Sequence, residues 1–134
     1  AEGLNLGENA KSALISRSFA EMTRYAKKFK ADKNTLFGLS GLGDLILTCS
    51  SKNSRNTQFG IKLASSKYDN FLDLLKSQEV TEGYYTVKAV YNISQKKNID
   101  MPIMESVYNI LYKQHDLKEE LSNLLSRPIT EEKI

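Results

Sequence analysis

An all-α, multi-helix domain is the architecture this sequence predicts, on three observations. Apolar residues recur at three- and four-residue intervals along almost the whole chain. No stretch of more than a few residues shows the strict alternation of a half-buried strand. The composition is that of an ordinary globular protein, with 40% apolar and 26% charged residues and only two prolines in 134 positions. A chain of this length buries about two-thirds of its unfolded surface, and no linker, repeat or low-complexity tract divides it. Residues 1–134 are therefore expected to form one domain.

The elements follow in order. From about Asn9 to Lys30, Ile15, Phe19, Met22, Ala26 and Phe29 are spaced four, three, four and three apart, one stripe of a long amphipathic helix with Asn9 as its expected N-cap and Gly7 in the turn before it. Asp32 begins a cap and one short helical turn ending at Phe37. Ser40 to about Thr48 reads as a helix entered through a glycine-rich corner. Asn53 or Ser54 caps a helix running to about Ser65, and Asp69 caps another through Leu75. A longer helix is expected from about Gly83 to Lys97, with Val87, Val90, Tyr91 and Ser94 on one face. Pro102 breaks the chain, since the residue before proline is pushed out of the helical region. Ile103, Val107, Ile110 and Leu111 then resume a helical stripe. Leu117, Leu121, Leu124 and Leu125 make the last, which Pro128 ends.

Charge and cysteine usage remove several function classes. A formal charge of +3 is too small to imply nucleic-acid binding. Its distribution says more: Lys52, Arg55, Lys62 and Lys67 lie between Asp44 and Asp69 with no acid among them, while the tail from Asp116 has five acids against three bases. A locally basic stretch suits an anionic small ligand, although Lys62 and Lys67 also fit a solvated helix face. The single cysteine, Cys49, excludes an intrachain disulfide, fits a reducing cytoplasm, and reads as a small buried apolar side chain rather than a nucleophile. No run approaches the roughly 20 apolar residues that span a bilayer, and the first residues lack the basic start and apolar run of a signal peptide. The absence of an initiator Met is expected of a chain that begins inside a larger protein or has been processed.

Gly38, Gly41 and Gly43 form G-x-x-G-x-G, which is not the dinucleotide fingerprint: that requires G-x-G-x-x-G between a strand and a helix. These glycines serve either close approach of helices or positive φ in the corner. Asp44 and Thr48 are four apart and share a helix face. Leu45, Ile46 and Leu47 surround Asp44 with apolar side chains, so it is expected to be poorly solvated; it faces a ligand or caps backbone N–H groups near a helix start. Ser54, Arg55 and Asn56 stand where a helix begins. Unpaired N–H groups there carry partial positive charge, Arg55 adds a fork suited to phosphate and Asn56 a further donor. Otherwise Ser54 is simply a cap and Arg55 a surface charge. Val80 and Glu82 belong to a loop entering the next helix. His115 has no second ligand at metal spacing, so no metal site is expected. The sequon Asn92-Ile-Ser94 falls in mid-helix and reads as chance. Tyr84, Tyr85, Tyr91, Tyr108 and Tyr112 read as helix-packing material rather than a base-stacking platform.

Taken together, Gly3–Arg17, Gly38–Cys49, Ser54–Gly60, Val80–Gly83, Met101-Pro102-Ile103, Glu105–Tyr108 and Leu124–Pro128 occur in an order that resembles the C-terminal, substrate-binding domain of NAD(P)-dependent glycerol-3-phosphate dehydrogenases. The resemblance implies a fold like the C-terminal domain of 6-phosphogluconate dehydrogenase. It also implies the reduction of dihydroxyacetone phosphate to sn-glycerol 3-phosphate, a precursor of glycerophospholipids, in the cytoplasm. Asp44 and Thr48 would support the catalytic site; Asp44, Ser54, Arg55 and Asn56 would bind substrate; Arg55, Val80 and Glu82 would touch NAD or NADP. The resemblance places the catalytic Lys in a segment before Ala1 and assigns most cofactor binding to an N-terminal Rossmann domain. This stretch alone is then expected to be inactive, and Lys11 does not match the catalytic position. Its partners would be a phosphorylated small molecule, that N-terminal domain and a second copy in a homodimer, with no nucleic acid and no membrane span. Two other readings stand beside it: a helical interaction module, and the second domain of another 6-phosphogluconate dehydrogenase-like enzyme.

Overall fold

The long apolar stripe forms α1 (Glu8–Lys28) in a computed structural model that describes residues 1–65, 73–74 and 81–128. Gly7, not Asn9, is its N-cap: the extended backbone at Gly7 lets the helix begin at Glu8, and no side chain caps it. Glu8 in the first turn and Lys27 and Lys28 in the last complement the helix dipole. The helix closes with Ala31 N–H donating to the Ala26 carbonyl at 3.0 Å and Lys30 to Lys27 at 3.1 Å, with Lys30 left-handed at φ 55°.

The Asp32 carboxylate accepts from Asn34 N–H at 2.8 Å and starts α2 (Lys33–Phe37). A wide turn of π type over Leu39–Gly43 feeds directly into α3 (Asp44–Ser50). The glycine motif works here by close approach: a Cβ on Gly41 would overlap the backbone of Leu36, and no described glycine has positive φ. α4 (Arg55–Ala64) begins at Ser54, whose hydroxyl accepts from Thr57 N–H at 3.4 Å. Of the helix expected from Asp69 to Leu75, only Asp73 and Leu74 are among the described residues, and both are helical.

α5 (Glu82–Lys97) ends in left-handed Asn98. α6 (Pro102–Lys113) has Pro102 in its first turn, where a missing N–H costs nothing. α7 (Leu117–Ser126) is capped by Asp116, whose carboxylate accepts from Glu119 N–H at 2.9 Å.

Phe59, Leu74, Val87 and Leu111 form the buried centre, with Leu63, Met104, Val107 and Ile110 packed against it. Each such side chain contributes about 1.5–3 kcal/mol by leaving water. Four of the five tyrosines pack α5 against α6 as the sequence predicts, with Tyr91 stacked on Tyr108 at 3.7 Å and Tyr84 on Tyr112 at 4.7 Å, whereas Tyr85 is exposed. Tyr112 Oη donates to the Tyr84 carbonyl at 2.6 Å, and burial together with that neighbour pushes its phenol up to about 12. Two polar ties join distant elements. Arg17 of α1 donates to the carbonyls of Leu124 and Arg127 at the end of α7. Glu21, only 4% exposed, accepts from Ile103 N–H at 2.6 Å and Met104 N–H at 3.1 Å, capping α6 from another helix. No helix among the described residues is long and apolar enough to cross a membrane.

Candidate functional site

Two helix starts meet at the centre of the predicted site. Ser54 caps α4, Thr81 is the N-cap residue of α5, and Thr81 Oγ1 donates to Asn56 Oδ1 at 2.8 Å. Gly83 makes this meeting possible, because a Cβ there would lie 2.5 Å from Asn56 Oδ1. Behind them Thr57 Oγ1 donates to the Thr48 carbonyl at 3.2 Å, tying α3 to α4. Gln58 Nε2 donates to the Lys52 carbonyl and closes the loop leading into α4.

A cavity of about 390 Å³ opens beside this junction. Thr48, Cys49, Asn56 and Thr57 line one side and Lys11, Leu14 and Ile15 of α1 the other. Lys11 Nζ is engaged by Glu2 at 3.0 Å and Glu8 at 2.7 Å, and these carboxylates hold its ammonium above the usual lysine range. Glu2 also reaches Lys52 Nζ at 3.5 Å, so one carboxylate links the chain's first turn to the loop before α4.

The structure thus brings Thr48 and Asn56 to one cavity. Ser54 and Arg55 do not line it: the Ser54 oxygen accepts in the cap, and Arg55 is exposed in the first turn of α4 with no acidic partner among the described residues. Glu82 lies in the first turn of α5 and is exposed. Val80 lies outside the described residues. Two expectations are corrected. Asp44 is exposed rather than poorly solvated, because α3 turns Leu45 and Thr48 inward and leaves Asp44 and Leu47 outside. Cys49 is exposed rather than buried, since α3 is a short surface helix; partial burial of its thiol still pushes its pKa up. His115 is engaged on the far turn, with Nδ1 2.7 Å from Glu120.

Sequence reasoning missed Thr81, Gly83 and the Lys11–Glu2–Lys52 chain. The hydroxyl preceding an acidic first turn was a readable signal for Thr81; the other contacts join residues far apart in sequence and had none.

Residues 1–122 match the family model described as NAD-dependent glycerol-3-phosphate dehydrogenase C-terminus. The chain belongs to this family. Membership of this C-terminal-domain family removes the reading as another 6-phosphogluconate dehydrogenase-like second domain. A glycerol-3-phosphate dehydrogenase [NAD(P)+] of Ligilactobacillus salivarius is 46% identical over 131 residues, covering 97% of this chain and 38% of the relative. One from Brachyspira hyodysenteriae is 44% identical over 128 residues, covering 94% and 38%. The crystal structure of glycerol-3-phosphate dehydrogenase from Coxiella burnetii superposes with a TM-score of 0.86 at 38% identity, covering 94% of this chain and 38% of that one. The chain therefore spans about 38% of the length of the glycerol-3-phosphate dehydrogenases it matches.

Proposed function

We propose that this chain holds the phosphorylated substrate of an enzyme that interconverts dihydroxyacetone phosphate and sn-glycerol 3-phosphate, supplying glycerophospholipid synthesis in the cytoplasm. One observation carries the reading: the start of α4 presents Arg55 with no acidic partner among the described residues and Asn56 joined to the start of α5, beside a cavity that Thr48 lines. Helix N–H groups and a free guanidinium are a natural receptor for a phosphate dianion. The residues fit only the edge of a dinucleotide. Arg55 suits one of its phosphates, and Val80 and Glu82 are assigned contact with it, while the described residues contain no strand and no G-x-G-x-x-G turn to cradle a pyrophosphate.

When bound, NAD(P)H supplies the hydride. The chain's own work is then electrostatic and positional. Arg55, the first amides of α4 and the Ser54 hydroxyl neutralise and orient the phosphate, fixing the distance to the carbonyl three bonds away. The Asn56 amide donates to substrate while Thr81 holds its oxygen. Asp44 and Thr48 surround the reacting carbonyl and the lysine that protonates it, which this reading assigns to a segment before Ala1. Residues 1–134 alone, as one domain, have no turnover; the full-length enzyme works with its N-terminal nucleotide-binding domain, as a homodimer through helical faces.

The test is Arg55→Ala in the full-length enzyme. Losing a charge-assisted pair worth about 1.5–3 kcal/mol raises the apparent KM for dihydroxyacetone phosphate roughly 10- to 100-fold, with little effect on the KM of an unphosphorylated analogue. An unchanged KM for the phosphorylated substrate rejects the reading.

A further inference from the structure

We infer that the Glu2–Lys11 ion pair is a positioning device for the reaction: it seats the domain's first turn on α4, and so sets the spacing between the phosphate grip at the start of that helix and the proton donor that enters through this turn. The inference rests on the functional reading above, which places that donor, a lysine, before Ala1.

The chain enters the domain through a 3-10 turn, Glu2–Leu4, that is closed on itself. Leu4 N–H and Leu6 N–H both donate to the Ala1 carbonyl, at 3.3 and 3.2 Å, and left-handed Asn5 donates to the Glu2 carbonyl at 3.1 Å. The turn lies directly on the backbone of α4: a Cβ on Gly3 would fall 2.6 Å from Ala64 Cβ and 2.9 Å from Ile61 Cα. Close approach fixes how far the turn stands from α4, but not how it slides along it. Glu2 supplies that restraint. Its carboxylate takes Lys11 Nζ of α1 at 3.0 Å and Lys52 Nζ of the loop before α4 at 3.5 Å, while Glu8 holds Lys11 at 2.7 Å.

Most exposed ion pairs order nothing. Arg24–Asp100 is such a pair, 3.9 Å apart with Asp100 72% exposed. Glu2 and Lys11 are 26% and 24% exposed, lie nine positions apart, and line the same cavity as Thr48 and Asn56. The Lys11 ammonium holds the Glu2 carboxyl below its ordinary range. On the functional reading, phosphate grip and proton donor act on one small molecule from two elements, α4 and the chain before Glu2, and the first turn is where these meet. A misplacement of about 1 Å between such groups costs on the order of 100-fold in rate. Glu2 and Lys11 act through the turn, without touching substrate.

Steady-state kinetics of the full-length enzyme test this with Glu2→Gln, Lys11→Met and the double variant. Each single change is expected to lower kcat roughly 10- to 100-fold and the double change no further, while KM for dihydroxyacetone phosphate stays within about two-fold. Asp100→Asn, which breaks the exposed pair, leaves kcat alone. Gly3→Ala displaces the turn with every charge in place, and is expected to give the same fall in kcat at unchanged KM. Wild-type kcat in Gly3→Ala or in Glu2→Gln overturns the inference. So do additive losses in the double variant, a kcat that recovers once corrected for the folded fraction in urea titrations, or a raised KM, which would put Lys11 on the phosphate. A wild-type enzyme with no turnover of dihydroxyacetone phosphate would instead reject the functional reading, and the inference with it.

Discussion

Replacing Glu21 isolates the contact that joins α1 to the start of α6. Its carboxylate is almost fully buried and accepts from Ile103 N–H at 2.6 Å and Met104 N–H at 3.1 Å, two amides that no intrahelical carbonyl can serve. In Glu21→Ala both lose their acceptor inside a packed junction, where each unsatisfied group costs about 1–3 kcal/mol; with some water entering, the expected loss is about 2–4 kcal/mol. Glu21→Gln keeps one acceptor oxygen and should lose about 1–2 kcal/mol. Burial raises the Glu21 pKa above its ordinary value, and the two amides oppose this only in part. The folded state therefore holds the proton more tightly than the unfolded chain. That contribution is complete below the unfolded value and is lost as pH rises through the folded pKa. Glutamine does not titrate, so the advantage of wild type over Glu21→Gln should shrink between pH 4.5 and 7. Urea denaturation followed by far-UV circular dichroism at both pH values measures all three quantities. A Glu21→Ala variant within about 0.5 kcal/mol of wild type, or a gap that widens towards pH 7, refutes the reasoning.

Other contacts give equally direct expectations. Gly83→Ala drives a methyl into Asn56, so in the full-length enzyme it should weaken phosphate-substrate binding about as much as Asn56→Ala, with far-UV ellipticity preserved; steady-state KM values compare the two. Arg17→Ala frees the last carbonyls of α7 and should cost about 1.5–3 kcal/mol in urea denaturation, with amide exchange accelerated first over residues 117–127.

The helices were legible because their signals are local. Asp32 and Ser54 cap the helices they precede, Pro102 opens one and Pro128 follows another, and the stripe from Ile15 to Ala26 turns inward, while Phe29, just past the end of α1, is exposed. The helix start at Ser54-Arg55-Asn56 was legible for the same reason. Burial was harder to read. The apolar neighbours of Asp44 suggested a dry carboxylate, yet Ile46 and Leu47 point outward, so hydrophobicity in sequence signalled a surface rather than a core. Glu21 was invisible because it interrupts an apolar stripe, and the amides it serves lie about 80 positions further on. The Asn56–Gly83 contact likewise depends on how two helices approach, which neither stretch encodes alone.

Where α4 and α5 touch, two backbone dipoles direct their positive poles at one spot, and Arg55 adds a full charge. Glu82 offsets only part of this from the first turn of α5. Among the described residues the Thr81–Asn56 hydroxyl–amide bond joins these like-signed poles, and under the function proposed above an arriving dianion would convert their repulsion into attraction from both helices at once. On that proposal ligand charge would be an architectural component of this junction, and its grip on one helix would reciprocally be a grip on the other.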